Sequence, residues 1–311
     1  MQFEPGIWSV IVGGSSGFGL AAARKLAAHG MNLCIVHRDR RGAMRTIEPA
    51  FEELRAEGVN LITFNTDGLS EEGRTKVLDA LSEKLGKTEK VRLLLHSVAF
   101  GNLKLLAPVR DADAPGKTRE TIAGRLDVSP ETFSRTIHDA FENGAHRLHP
   151  LVDPPPYNER QFLEQADFSR TVHAMGHNIV EWAADIFNRG LFAGDARVLS
   201  LTSEGNSIAW RGYAAVSAAK AVLESVSRSM AVEFAPYGIR SNVIQAGVTD
   251  TAALQAIPGS EQIRAQAALR NPFGRLTTPA DVANVIFLLC LDEAAWINGA
   301  LICADGGERI A

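Results

Sequence analysis

The chain has 311 residues, 46% of them hydrophobic, so it can bury a substantial core and lies near the size at which one domain gives way to two. Its formal net charge of −4 argues against general nucleic-acid binding, which needs a basic surface. The first residues do not combine a basic segment with an apolar one, and the longest apolar runs are too short to span a bilayer. We therefore expect a soluble cytoplasmic protein that binds neither nucleic acids nor membranes.

Short β-branched runs alternate with amphipathic stretches along most of the chain. The predicted elements, in order, are the strand WSVIV, a helix over 17–29, the strand NLCIVH, a helix near 45–57, the strand NLITF, a helix over 70–85, the strand VRLLLHSV, a helix around 167–188, the strand ARVLSLTS, a helix over 213–235, the strand RSNVIQA, a helix over 279–291 and the strand ALICADGG. Apolar strands separated by helices are typical of a parallel sheet covered on both faces. The pattern predicts a single doubly wound α/β domain over 1–311.

The segment 104–163 breaks this alternation. It contains a helix candidate with a Ser-Pro start, SPETFSRTIHDAFENGAHRL, and the helix breaker HPLVDPPPYN. We interpret it as a largely helical or irregular insertion within the domain. Because it follows a predicted parallel strand, it leaves the sheet at the carboxyl edge, where α/β proteins bind ligands. A substrate roof, a subunit interface and a disordered loop are all consistent with this position.

A glycine cluster lies between the first predicted strand and the first helix, in the sequence IVGGSSGFGLAAARKL. Glycines there allow a tight turn, and the start of the helix offers free N–H groups to a pyrophosphate. The spacing Gly13-x3-Gly17-x-Gly19 resembles the first turn of the short-chain dehydrogenase/reductase family, with Val12 in place of its threonine. The resemblance implies a Rossmann-type fold that binds NAD(P) through Gly13, Ser15, Ser16, Gly17, Phe18 and Gly19.

Two charged residues follow the second and third predicted strands. Arg38, in CIVHRDRRG, suits the 2′-phosphate of NADPH, whereas an acidic residue there would suit NADH. We expect NADPH, with NADH as the alternative, although a solvated basic turn also explains this sequence. The resemblance implies that Asp67 accepts a hydrogen bond from the adenine amine; a loop cap before the helix at Ser70 is equally consistent.

The fourth predicted strand ends in LLHSVAFG. This form resembles the enoyl-[acyl-carrier-protein] reductase branch of the family, and it implies that Ser97, Val98 and Ala99 pass the adenosine ribose as backbone. We expect His96, whose neighbours are apolar, to be a packed strand residue.

The stretch RGYAAVSAAK places Tyr213 seven positions before Lys220. On a helix the two return to one face, separated by a rise of roughly 10 Å. An adjacent ammonium lowers the pKa of a phenol, so we expect Lys220 to activate Tyr213 while it holds the nicotinamide ribose. The wide spacing resembles that of enoyl reductases, in which the tyrosine meets a thioester oxygen two bonds further from the hydride acceptor than a ketone oxygen would be. A carbonyl reductase would have its tyrosine at Val216, which has no proton to give.

Two further positions differ from the common pattern of the family. Ser203, ten residues before Tyr213, resembles the serine of an NADPH-preferring branch, and it either contacts the thioester oxygen or caps the strand end. His173 stands where most relatives have a catalytic asparagine; we expect it to pack in the helix interior, and a catalytic role is the alternative.

The segment AGVTDT resembles the family sequence that follows the sixth strand. The resemblance implies cofactor contacts from Gly247, Val248, Thr249 and Thr251, the last to the pyrophosphate. The residues from TAALQAIPG to NPFGR resemble a mobile substrate loop with a hinge at Pro258-Gly259.

The three cysteines, Cys34, Cys290 and Cys303, lack metal-ligand spacing, and we expect three buried thiols and no metal site.

The leading hypothesis is an NADPH-dependent enoyl-[acyl-carrier-protein] reductase of fatty-acid synthesis, acting on an acyl thioester as a homotetramer or homodimer. One alternative is a reductase of a ketone, quinone, 3-oxoacyl or dienoyl-CoA substrate. Another is a non-catalytic dinucleotide-binding protein.

Overall fold

The core is a parallel β-sheet in a computed structural model that describes residues 2–109, 114–153, 155, 157 and 160–311. Its strands are β1 (Ile7–Val12), β2 (Asn32–His37), β3 (Leu61–Asn65), β4 (Lys90–His96), β5 (Phe192–Thr202), β6 (Ile239–Ala246) and β7 (Leu301–Ala304). In the described chain they form one sheet with the order β3-β2-β1-β4-β5-β6-β7, and all neighbouring pairs are parallel. The predicted doubly wound α/β fold is confirmed.

Helices cover both faces of the sheet. They are α1 (Gly17–Ala27), α2 (Met44–Ala56), α3 (Glu71–Lys84), α4 (Ala114–Arg125), α5 (Pro130–Glu142), α6 (Gln165–Val172), α7 (Asn178–Asn188), α8 (Ala214–Glu233), α9 (Ala252–Gln255), α10 (Ser260–Arg270) and α11 (Pro279–Leu289). Successive strand residues point to opposite faces, so Ile11 packs with α1, α2 and α11, whereas Val10 and Val12 pack with α3, α7 and α8. This explains why the strands read as continuous apolar runs.

Local sequence signals determine several helix starts. The Ser70 hydroxyl accepts the N–H of Gly73 at the start of α3, and the Ser129 hydroxyl accepts the N–H of Thr132 at the start of α5. Thr278 and Asp281 form a reciprocal capping box on α11. The predicted Ser-Pro start is thus the N-terminus of α5.

The helix predicted around 167–188 is interrupted. A π-helical turn, His173–His177, separates α6 from α7. Such turns are rare and occur often at functional sites. Sequence periodicity over the region is continuous, so the interruption is visible only in the structure.

The segment between β4 and α6 contains α4, α5 and a 3-10 turn at His146–Leu151, and part of the breaker HPLVDPPPYN lies outside the described residues. Its two ends meet, because Leu105 and Phe162 form a parallel β-bridge. Its inner side chains, Phe141 and Val152, form a small apolar cluster with Ala265 of α10. The segment therefore packs against the region predicted to be the substrate loop.

The predicted burial of the three cysteines is confirmed for two of them. Cys34 and Cys290 are buried as predicted, but Cys303 is exposed, because it lies on the edge strand β7. Within the described residues, no helix combines the length and hydrophobicity needed to cross a membrane.

Phe141→Ala is expected to loosen this packing. Phe141 is 4% exposed, and loss of a buried phenyl ring costs about 3 kcal/mol or more, which should speed amide exchange in α5 and α10 roughly 100-fold. Hydrogen-exchange mass spectrometry would measure the change. Leu126→Ala, at a side chain that is 60% exposed in the same segment, is the control. Unchanged exchange in α10 would contradict the packing.

Candidate active site

The carboxyl ends of β1, β4, β5 and β6 surround two adjoining cavities, at the point where the strand order reverses. The larger, of about 800 Å³, is lined by the glycine loop and by the ends of β2 and β4. The smaller, of about 240 Å³, is mostly apolar and contains Tyr213, Lys220 and Ser203. The residues that line both are Phe18, Ser97, Val98, Ala99, Thr251, Ala253 and Ala256. An elongated ligand can therefore extend from one cavity into the other.

Two glycines of the glycine loop, Gly13 and Gly19, are packed too closely for a side chain. A Cβ at Gly13 would lie 2.4 Å from the Ser97 carbonyl oxygen, and one at Gly19 would lie 2.1 Å from the Gly13 carbonyl oxygen. Ser16 is the N-cap of α1, but its side chain makes no cap hydrogen bond in the described structure. The first N–H groups of α1 thus face the larger cavity without a side-chain partner, which fits a bound pyrophosphate.

Thr251 lies across the cavity from this loop. Its methyl group is 3.9 Å from the position of a Cβ on Gly17. Its hydroxyl accepts the N–H of Leu254 at 3.3 Å and so caps α9. The predicted pyrophosphate contact is compatible with this position, although the hydroxyl also has a structural partner.

Arg38 and Asp67 meet at the rim of the larger cavity. Arg38 Nη1 is 2.9 Å from Asp67 Oδ2, and the Arg38 guanidinium lies over the Phe100 ring at 4.9 Å from its centroid. The other Asp67 oxygen accepts the Leu69 N–H at 3.1 Å, which is the loop-cap arrangement.

Sequence reasoning missed Asp39 at the same rim. Asp39 also lines this cavity, and its carboxylate is 2.9 Å from Nδ1 of the buried His37 ring. The rim therefore offers both a guanidinium and a carboxylate to the adenosine end of a dinucleotide, through adjacent residues.

Lys220 is buried under the end of β5. Its Nζ donates to the Leu201 carbonyl at 2.8 Å. Burial lowers the pKa of Lys220 to about 8, and the nearby Glu224 carboxylate opposes that shift. Glu224 also accepts hydrogen bonds from Thr202 and Asn206, and so ties α8 to the loop after β5.

Tyr213 is the N-cap residue of α8 and is 8% exposed. Its ring packs against Trp210, with centroids 5.2 Å apart, and a Cβ at Gly205 would lie 2.4 Å from its Cε1. Four positions before Lys220, Val216 is buried in the same cavity. The structure thus places the phenol at the N-terminal end of α8 and an aliphatic side chain in the position nearer to Lys220.

The expectation that Lys220 lowers the pKa of Tyr213 is wrong for this structure. Burial raises that pKa, and the Ser203 hydroxyl only partly opposes it; Lys220 is not among the influences. At a spacing of seven residues, the ammonium does not contribute to the shift of the phenol pKa. Ser203 Oγ is buried and lacks a partner of hydrogen-bond geometry among the described residues, so this hydroxyl can still serve a ligand.

The two histidines singled out in the sequence differ. His96 is packed as predicted, and burial together with nearby Lys220 lowers its pKa to about 3, so its ring is neutral. The interior packing expected for His173 is wrong: its side chain is 33% exposed, and its Nε2 is 3.0 Å from Glu181 Oε1.

An ion network, missed in the sequence, fixes the far wall. Arg270, the last residue of α10, binds Glu204 at 2.7 Å and Glu308 at 2.9 Å. Glu308 Oε2 in turn accepts the Val248 N–H at 3.1 Å. Burial raises the pKa of Glu308, and the Arg270 hydrogen bond opposes this. The network joins α10, the loop after Ser203 and the predicted cofactor segment.

The remaining residues of that segment lie beside Tyr213 and Lys220. Gly247, Val248 and Thr249 line the smaller cavity, and the Thr249 hydroxyl donates to the Gly247 carbonyl at 3.0 Å. Gly259 has φ of +78° at the N-terminus of α10, a conformation that favours glycine. The predicted hinge is thus a left-handed turn.

Comparisons with known proteins give consistent matches. Residues 117–308, more than half of the chain, match the family model described as Enoyl-(Acyl carrier protein) reductase. Residues 8–115 match the model described as short chain dehydrogenase.

Two characterised relatives align with parts of the chain. Cis-4-hydroxycyclohexanecarboxylate dehydrogenase of Sinomonas cyclohexanicum is 36% identical over 37% of this chain, and the match spans less than half, 45%, of that relative. 1-cyclohexenylcarbonyl-CoA reductase of Streptomyces collinus is 28% identical over 67% of this chain and 73% of its own.

A solved structure resembles the whole chain. The enoyl-(acyl-carrier-protein) reductase of Anaplasma phagocytophilum, in complex with NAD, has a TM-score of 0.67 and covers 98% of this chain and 93% of its own. At 18% sequence identity, the likeness concerns the fold alone.

Tyr213 should titrate above the ordinary value of 10.0, because burial disfavours its charged form. The chain has three tyrosines, so the ultraviolet difference spectrum between the native protein and Tyr213→Phe isolates this phenol. We expect less than half of this phenol to be ionised at pH 10. Half-titration at or below pH 10 would contradict the raised pKa.

Proposed function

Because this chain belongs to the short-chain dehydrogenase/reductase family, we propose that this oxidoreductase reduces the C=C bond of an enoyl thioester with NADPH. The observation that carries the proposal is the placement of Tyr213 and Val216 in one apolar cavity with Lys220. Among the described residues that line this cavity from α8 and its N-cap, Tyr213 is the only proton donor besides Lys220, and it is displaced outward from the lysine.

The displacement corresponds to a conjugated substrate. A bound NADPH would supply a hydride, which in this chemistry goes to the β-carbon of the substrate. Negative charge then develops on the thioester oxygen, two carbons further along. Tyr213, at the start of α8, is suited to donate a hydrogen bond to that oxygen, which stabilises the enolate until the α-carbon takes up a proton.

The raised pKa of Tyr213 supports this role. A phenol that stays neutral is a hydrogen-bond donor, whereas a phenolate can only accept. Reduction of a ketone needs complete proton transfer to the alkoxide, and in that case a lowered tyrosine pKa favours the reaction. Ser203, with its buried and unpartnered hydroxyl, is available as a second donor to the same oxygen.

Lys220 has a separate task in the proposal. Its Nζ is held by the Leu201 carbonyl at the sheet edge, which leaves two N–H groups for the ribose of the nicotinamide half of the dinucleotide. Arg38 supports the preference for NADPH, since its guanidinium can exchange its exposed Asp67 partner for a 2′-phosphate. Asp39 is the group that would bind ribose hydroxyls if NADH were used.

The smaller cavity favours an apolar acyl group. It is lined by the large apolar side chains of Leu103, Met175, Trp210, Val216 and Ile257. The name of the Streptomyces collinus relative denotes reduction of a conjugated ring thioester of coenzyme A, which supports an enoyl thioester as substrate. We propose acyl carrier protein or coenzyme A as the carrier, a role in fatty-acid synthesis, and a homotetramer or homodimer as the assembly.

A second candidate is reduction of a ketone or oxidation of the matching alcohol. The Sinomonas cyclohexanicum relative is named as the dehydrogenase of a hydroxycyclohexane acid, and it aligns at the highest identity of the two. In that reaction Tyr213 would have to deliver its proton to the carbon-bound oxygen.

Purified protein should oxidise NADPH with crotonyl-CoA or crotonyl-acyl carrier protein, and much more slowly with acetoacetyl thioesters. Tyr213→Phe should lower kcat on the enoyl thioester by about 100- to 1,000-fold, the usual cost of losing one oxyanion donor, with little change in NADPH affinity. The decrease in NADPH absorbance gives the rate with each thioester, and its dependence on NADPH concentration gives KM for NADPH. Tyr237→Phe, at a tyrosine that is 58% exposed, is the matched control.

Two results would overturn the proposal. One is turnover of the ketoacyl thioester without turnover of the enoyl thioester, which would favour the second candidate. The other is full activity of Tyr213→Phe on the enoyl thioester, since the phenol would then have no part in stabilising the enolate.

The rate should depend on pH through Lys220. Its pKa in the folded protein is about 8, below the ordinary 10.5, so the ammonium is present below pH 8 and is lost as pH rises above it. We expect kcat/KM for NADPH to fall about tenfold per pH unit above 8, because this parameter reports groups of the free enzyme.

Lys220→Arg should move this fall to higher pH, since a guanidinium stays protonated. In the native protein, the lowered pKa of Lys220 also makes the free energy of unfolding rise between pH 8 and 10.5. In that range the unfolded chain binds the proton that the folded chain has lost. A flat kcat/KM profile to pH 10 in the native protein would contradict the assignment.

A further inference from the structure

Three side chains converge on the outer face of the π-helical turn. His173 Nε2 is 3.0 Å from Glu181 Oε1, and His177 Nδ1 is 3.6 Å from the same oxygen. The candidate ligand atoms of the three residues all lie within 4.8 Å of one another. We propose that His173, His177 and Glu181 form a binding site for a divalent transition metal of the zinc type.

The backbone explains why three residues at a spacing of four align. On a regular α-helix each step of four residues drifts by about 40°, so the first and third residues would diverge by about 80°. The π-helical turn spans His173–His177 and rotates less per residue, which offsets the drift of the α-helical step that follows. The irregular turn therefore brings all three side chains onto one line.

The distances suit a small metal ion. Zinc binds imidazole nitrogen and carboxylate oxygen at about 2.0–2.2 Å, which in tetrahedral geometry puts ligand atoms roughly 3.3–3.5 Å apart. The two separations of 3.0 and 3.6 Å lie close to that range. Two imidazoles and one carboxylate occupy three positions, and the exposure of His177 leaves a fourth open to water.

The second oxygen of Glu181 is fixed from the protein side. Arg74 Nη1 is 2.6 Å from Glu181 Oε2, and Asn178 Nδ2 donates to the same oxygen at 3.1 Å. Such outer contacts orient a ligating carboxylate and are typical of metal sites. The Arg74 charge also reduces the negative potential at the site, so we expect it to weaken cation binding.

A matched arrangement elsewhere lacks the third ligand. His138 Nε2 is 3.1 Å from Glu142 Oε1 on α5, four residues apart. That histidine and glutamate form an ordinary exposed helix pair. The difference between the two places is the second imidazole, whose ring centroid lies 5.0 Å from that of His173.

The site is next to the cavities but outside them. Among the described residues that line the two cavities, neither His173 nor His177 is included, whereas Met175, on the same turn, lines the smaller one. A bound ion would cross-link the π-helical turn, which carries Met175, to α7. The inference does not depend on the proposed reaction.

The test uses full-length, untagged protein, treated with a chelator, desalted and titrated with ZnCl₂ by calorimetry. We expect one Zn²⁺ per chain, and affinity at least about 10-fold weaker in His173→Ala and in His177→Ala. His138→Ala should bind like the native protein. Saturating Zn²⁺ should raise the melting temperature of the native protein and of His138→Ala, but not that of His177→Ala, because a ligand stabilises only the state it binds.

His177 is 45% exposed, so its replacement leaves folding intact and keeps the comparison valid if another variant fails to fold. Absence of saturable binding at millimolar Zn²⁺ would overturn the proposal. Binding of equal affinity in the native protein and His177→Ala would also overturn it, since the ion would then be held elsewhere.

Discussion

The contact of α8 with the end of β5 is the constraint on which the site depends. Lys220 Nζ is held by the Leu201 carbonyl, and Glu224, one turn further, binds Thr202 at the end of β5 and Asn206 in the turn that follows. Once the helix is docked in this way, every other side chain on it has a fixed distance from the sheet edge. Tyr213 is then set at the outer end of the cavity by chain geometry alone, and no separate interaction with Lys220 is needed.

The sequence predicted the fold almost completely, since strands and helices of a parallel sheet leave strong periodic signals. It also predicted part of the lining of the two cavities, through the glycine spacing and the Tyr213–Lys220 pair, but not Asp39 or Trp210. It did not predict the pKa of Tyr213, because burial depends on Trp210 and Gly205, which only the tertiary structure brings to the ring. The Arg270 network was missed for the same reason: its three members come from distant parts of the chain.

The positions of the two histidines could not be predicted from sequence periodicity. His173, His177 and Glu181 are regularly spaced in the sequence, but ideal α-helical geometry separates them, and only the π-helical turn aligns them. That turn also removed His173 from the helix interior in which it was predicted to pack. One backbone irregularity thus accounts both for the exposed position of His173 and for the convergence of His173, His177 and Glu181.

The segment between β4 and α6 leaves and rejoins the domain at one place, where Leu105 is bridged to Phe162 and Lys104 pairs with Asp167 at 2.5 Å. A loop whose ends are already joined adds little closure entropy as it lengthens, about 0.6 kcal/mol per doubling. Natural selection can therefore lengthen, shorten or exchange this segment without refolding the sheet. Because the segment packs against α10, whose Ile263 lines the smaller cavity, such exchanges can reshape that cavity and leave the sheet beneath it unchanged.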